Sequence, residues 1–169
     1  MNTVFKPSDF LLKEIDFTQY APVILVIQTK NDIDSIMVPY TIHLTSVLSM
    51  LNEKYKERFG RKESNNLFIY LYSEPLRNAM EHGNNFDENK QVVVALWFGE
   101  KGILLGFRDE GDFFTRETTK LKYENRQRNP STRIGSISGG HGTIGLYNYA
   151  KSIYVDTHEN TLYVSYLFN

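Results

Sequence analysis

The apolar positions of this chain change period several times, and each change marks an element. Residues 1–22 form a mixed arm in which Ser8 and Asp9 are suited to cap a short helix over FLLKEI. PVILVIQT, rich in branched side chains, reads as a short buried strand. From Asn31 to about Phe59, the residues Ile33, Ile36, Met37, Ile42, Leu44, Val47, Leu48 and Leu51 follow helical spacing that stops at Gly60. Pro39 falls inside that stretch and is expected to kink or split it. A second helix runs from about Ser64 to His82, with Gly83 as its left-handed stop.

The period then changes to that of strands. QVVVALWFG and GILLGFRD, joined by a GEKG turn, predict a hairpin. Residues 113–141 lose periodicity and read as a long loop, of the kind that is functional or disordered in a compact domain. Its basic residues Arg116, Lys120, Lys122, Arg126, Arg128 and Arg133 outnumber the acids Glu117 and Glu124. TIGLYNYAKS is a short helix opened by the glycines of SGGHGTIG. SIYVDT and TLYVSYLF follow as strands around a polar HEN turn. This order of elements points to an α+β fold with helices layered on one face of a mixed sheet.

Composition narrows the function classes. A chain of 169 residues fits one domain with a sizeable core, so 1–169 is read as a single unit. A net charge of −1 gives no footprint for nucleic acid or an anionic membrane. The absence of cysteine excludes disulfides, thiolate catalysis and cysteine-bound metals. The longest apolar runs, VILVI and VVVALWF, are too short to span a bilayer, and Met1 opens a polar start without a signal-peptide pattern. A cytoplasmic location is the expectation.

Three segments carry residues suited to chemistry. In SEPLRNAMEHGNN, the spacing of four puts Glu74, Asn78 and His82 on one helical face. A carboxylate there can take a proton and an amide oxygen can ligate magnesium, although the same stripe also suits a solvated surface. Pro75 removes the backbone bond to Leu71 and either kinks the helix or marks its start. In FRDEGDFF, Asp109 stands at a strand-to-loop corner where it can accept a bond from a ligand amino group, and Gly111 permits close backbone approach. An ordinary turn is the alternative. SGGHGTIGL leads glycines into a helix start, which suits either a phosphate or a hinge. It is not a Walker A loop, because no Lys-Ser/Thr pair follows the glycines.

Together and in this order, the three segments resemble the ATP-binding domain of the GHKL superfamily, which includes gyrase, heat-shock chaperone, histidine kinase and MutL domains. EPLRNAMEHG resembles its N box, DEGDFF its G1 box and GGHGTIGL its G2 box, over roughly residues 65–168. The resemblance implies a two-layer α/β sandwich of the Bergerat type, with helices on one face of a mixed, mainly antiparallel sheet. It also implies bound ATP or ADP with Mg²⁺. Asn78 would hold the magnesium, Asp109 would accept from the adenine amino group, and Gly111 would give the base room. Gly140, Gly142 and Gly145 would wrap the phosphates, with His141, Thr143 and Leu146 in the same nucleotide-binding stretch and 113–141 as the ATP lid. Glu74 would activate the attacking water or hydroxyl.

Within the superfamily, the small size and the first two boxes look most similar to the bacterial anti-sigma-factor serine/threonine kinases. That branch implies a sigma factor and an anti-anti-sigma-like protein substrate as partners, and a possible homodimer. A sequestering module with little turnover and a simple ATPase are the alternatives. His43 lacks the following acid that a histidine-kinase phosphoacceptor requires. The sequence departs from the family pattern at Pro75, at Asp112 and Phe113 after Gly111, and by one extra residue in GHGTIGL. Residues 1–30, the arm and first strand, fall outside the resemblance and are a candidate for dimerisation or partner binding.

Overall fold

A computed structural model describes residues 4–17, 21–29, 69–111, 146 and 148–168. The helical stretch expected between Asn31 and Phe59, and the lid 113–141, lie outside the described residues. The elements are α1 (Asp9–Glu14), β1 (Val23–Gln28), a helix α2, β2 (Gln91–Phe98), β3 (Gly102–Arg108), β4 (Ser152–Asp156) and β5 (Thr161–Leu167). Helix α2 runs without a break through three segments, Ile69–Ser73, Glu74–Asn78 and Ala79–Gly83. The outer two are π-helical and the middle one α-helical. A turn of helix closes at Ala150, whose N–H donates to the Leu146 carbonyl at 2.8 Å.

The five strands form one sheet in the order β1-β2-β3-β5-β4, and each of the four pairings is antiparallel. The α+β class is therefore as expected, while the described part of the sheet is antiparallel rather than mixed. Strands β2 and β3 are buried along almost their whole length. Their continuous apolar runs, unlike an alternating pattern, require cover on both faces.

On one face Val92, Val94, Leu96, Ile103, Leu105 and Phe107 pack against Leu71, Tyr72, Leu76, Ala79 and Met80 of α2. On the other, Ala95, Trp97, Leu104 and Tyr163 pack against Leu11 and Ile15 of α1. The expectation of helices on a single face is thus corrected: α1 and the arm cover the second. Six residues of helix are too few to stand alone in water. Leu11 and Ile15, both fully buried, hold α1 down; each contributes about 1.5–3 kcal/mol. Ser8 occupies the expected N-cap position, but its side chain makes no capping bond, and its Oγ is buried without a partner. Packing, not capping, keeps this helix.

The arm is also tied by polar contacts to residues far along the chain. Arg108, 7% exposed, donates to the Val4 carbonyl at 2.7 Å and to Thr161 Oγ1 at 3.0 Å, and pairs with Glu159 at 3.0 Å. Its guanidinium lies 4.3 Å from the centre of the Phe5 ring, which meets Trp97 edge-on. The Lys6 N–H and the Tyr163 hydroxyl both donate to Glu159. Burial, then the Glu159 charge, raises the Tyr163 hydroxyl above its ordinary pKa, so it remains a donor. At the other end of α1, Glu14 accepts from Ser152 and Ser165.

Candidate functional site

Helix α2 presents its apolar face to the sheet and leaves Glu74 and Asn78 half-buried along its rim, with His82 exposed. Pro75 is buried against the core at the start of the α-helical segment. The proline ring crowds the carbonyl four residues earlier, and a wider π turn lies just where that crowding would fall. Pro75 neither starts the helix nor breaks it.

Glu74 is the electrostatically unusual group of this rim. Burial raises its carboxyl above the ordinary 4.5; Arg77 pulls it back, Glu81 adds to the rise and His82 opposes it. Arg77 is itself paired with Glu81 at 3.5 Å on the exposed side, a contact worth little in water. A carboxylate with a raised pKa is a better proton acceptor than an exposed one.

The sign of the effect on stability follows. Between 4.5 and the raised value the folded protein holds more protons than the unfolded chain, so stability falls as pH rises through that window. Ionised Glu74 therefore costs stability at neutral pH. Glu74→Gln is expected to raise the melting temperature at pH 7.5, with the gain shrinking as pH falls toward 4.5. Thermal unfolding across that range checks it; a loss of stability at pH 7.5 would mean that the carboxylate serves the fold.

The C-terminal end of α2 meets the corner after β3. The Asp109 carboxylate packs directly on Gly83: a Cβ there would lie 2.3 Å from Asp109 Cγ. Gly111 packs on the same residue, and a Cβ on Gly111 would lie 2.0 Å from the Gly83 carbonyl oxygen. The Gly111 N–H donates to Asp109 Oδ1 at 2.8 Å, which closes the corner on itself. Gly83 does not take the left-handed conformation expected of it; Asn85 (φ 52°) and Phe86 (φ 55°) do. The helix stays wound through Gly83, with the Asn84 N–H on the Ala79 carbonyl and the Phe86 N–H on the Met80 carbonyl. Glycine is required at 83 for the approach of Asp109, not for chain reversal.

Asn84 is the residue the sequence reading missed. It is fully buried. Its amide nitrogen donates to Thr29 Oγ1 at 2.7 Å and to the Gln91 carbonyl at 3.0 Å, and its Oδ1 accepts the Glu110 N–H at 2.7 Å. One side chain thus joins the ends of α2 and β1, the start of β2 and the corner after β3. Its position in a Gly-Asn-Asn run suggested only a helix end.

The structure therefore brings together Gly83, Asp109 and Gly111, with Glu74 and Asn78 on the helix leading to them. Glu74 lies nine residues before Gly83, at most about 13 Å along the axis, since the π turns of Ala79–Gly83 rise less than the α-helical 1.5 Å per residue. Leu146 is buried in the core under α2, among apolar side chains. Gly140, His141, Gly142, Thr143 and Gly145 lie outside the described residues. Among the described residues no cluster of three His, Asp or Glu side chains could hold a metal ion. Asn78 supplies a single hard amide oxygen, which could share a magnesium ion with phosphates but could not build an all-protein cage. No helix among the described residues is long and apolar enough to cross a membrane. Neither a protein-family model nor a curated protein matches the chain.

Proposed function

We propose that the protein binds ATP or ADP with Mg²⁺ along the α2 rim and the Asp109 corner, in the manner of the GHKL domains it resembles. We further propose that it transfers the γ-phosphoryl group to a serine or threonine of a partner protein, as an anti-sigma-factor-like regulator. The observation that carries the reading is the contact of Asp109 and Gly111 with Gly83. Two motifs distant in the sequence meet there, with an acceptor carboxylate at one end and a raised-pKa carboxylate at the other. The separation between those ends is on the scale of a nucleoside triphosphate.

In this reading Asp109 accepts from the adenine amino group, and the triphosphate runs along the helix toward Glu74. Asn78 would hold magnesium, which neutralises charge on the phosphates when bound. The acceptor hydroxyl oxygen bonds the γ-phosphorus as the β–γ bridging P–O bond breaks, and that electron pair leaves with ADP. The hydroxyl proton goes to Glu74, whose raised pKa favours a base over a spectator. That same feature favours turnover over pure sequestration.

Titration calorimetry with ATP and ADP, with and without Mg²⁺, tests the reading. Asp109→Asn replaces a charged acceptor and is expected to weaken binding about 10–100-fold, the worth of one charge-assisted hydrogen bond. Glu74→Gln should bind ATP normally and fail to phosphorylate. Absence of heat from any nucleotide, with no thermal shift, would overturn the proposal. Hydrolysis without a protein acceptor would move it to a simple ATPase.

A further inference from the structure

We infer that Asn84 is the positioning residue that sets base selectivity at the Asp109 corner; the inference rests on the nucleotide reading above. Asn84 touches no ligand-facing position. It reaches the site through the Glu110 N–H, which neighbours Asp109 in the chain, at 2.7 Å. Asp109 itself is held from three sides: by Gly83 beneath it, by the Gly111 N–H on its Oδ1, and by the peptide that Asn84 grips.

The grip is directional because the other end of the same amide is fixed. Both of its N–H donors are used, on Thr29 Oγ1 and on the Gln91 carbonyl, so the ring of partners leaves the side chain one orientation. Thr29 and Asn84 are both fully buried, which makes water a poor substitute for either bond. A carboxylate at 84 would keep the acceptor for Glu110 and turn an oxygen toward the Gln91 carbonyl. An alanine would release the corner entirely.

A residue that only stabilised the fold would lower affinity for every nucleotide in proportion to the folded fraction. A residue that aims Asp109 changes the ratio between bases. Adenine offers an exocyclic amino donor to Asp109, whereas guanine presents a carbonyl oxygen at the equivalent ring position. The ratio of ATP to GTP affinity therefore separates the two roles, and it is insensitive to how much of a variant is folded.

The experiment measures Kd for ATP and GTP at low temperature on wild type, Asn84→Ala, Asn84→Asp and Thr29→Val. Wild type is expected to prefer ATP at least about tenfold, the worth of one hydrogen bond. Asn84→Ala should lose most of that preference. Asn84→Asp and Thr29→Val should melt lower and keep it, since both retain the bond to Glu110. If Asn84→Ala does not fold, Asn84→Ser serves, because its hydroxyl is one bond too short to reach the Glu110 N–H. A preference unchanged in Asn84→Ala or Asn84→Ser overturns the inference and leaves nucleotide binding standing. Equal loss in Thr29→Val overturns it in favour of a purely structural role. A wild type that binds neither nucleotide refutes the underlying reading, and the inference falls with it.

Discussion

Arg108→Met is expected to lower stability by about 3 kcal/mol, the low end of what breaking a buried ion pair costs. For a chain of this size that is a fall of roughly 6–12 °C in melting temperature. Methionine retains an apolar stem but abandons the Phe5 ring face, the Val4 carbonyl, Thr161 and the partly buried Glu159. The low end of the range applies because Glu159 keeps 22% of its side chain exposed and regains some water. Glu159 would still have the Lys6 N–H and the Tyr163 hydroxyl, two donors without a full charge.

Arg108→Met combined with Glu159→Gln should recover part of the loss, because the stranded charge is gone. Urea unfolding of the four proteins in that cycle gives the coupling directly. A coupling near zero would mean that the guanidinium acts through Val4 and Thr161 alone. Proteolysis should cut the arm of Arg108→Met before the sheet opens.

The second large effect is expected at two glycines that touch each other. Glycine to alanine in a helix ordinarily stabilises by about 0.5–1 kcal/mol. At Gly83 the gain is offset, because the new methyl meets the Asp109 carboxylate, which must turn away and give up its bond to the Gly111 N–H. Gly83→Ala should melt within about 1 kcal/mol of wild type and displace the carboxylate, lowering ATP affinity at least about tenfold. At Gly111 the obstruction is the Gly83 carbonyl, which is backbone and does not yield. Gly111→Ala should therefore cost stability as well, about 1–3 kcal/mol by overpacking. Calorimetry and thermal melts on both variants decide the matter. Unchanged ATP affinity in Gly83→Ala would remove Asp109 from the binding role.

The hairpin of β2 and β3 was legible because two apolar runs flank a short polar turn; that the same runs require cover on both faces went unread, and helices were expected on one. The side that α1 covers was not legible. FLLKEI has an apolar face but nothing that names its floor, and only the long-range contacts of Leu11 and Ile15 choose it. Spacing put Glu74 and Asn78 on one helical face, and the structure leaves both half-buried along the rim. Gly83 was identified as a helix end for the wrong reason. Local sequence reports backbone preference, while the requirement at 83 comes from Asp109, a residue on another element. Asn84 escaped for the same cause: an asparagine after a glycine looks like a cap, and its three partners lie at the end of β1, the start of β2 and the corner after β3.

The arm that closes the second face is made well before its partners. Lys6 and Glu159 are separated by 153 residues, and Glu14 and Ser165 by 151. At synthesis rates of about 5–20 residues per second, roughly 8–30 s separate the emergence of Glu14 from that of Ser165. Until the end of that interval Leu11 and Ile15 lack Tyr163, the last-made buried part of their floor. Such distant pairings also slow folding after release, since long loops must close before the contacts form. The period during which this sheet is adhesive is thus set by the order of the chain, and no strengthening of the finished fold shortens it.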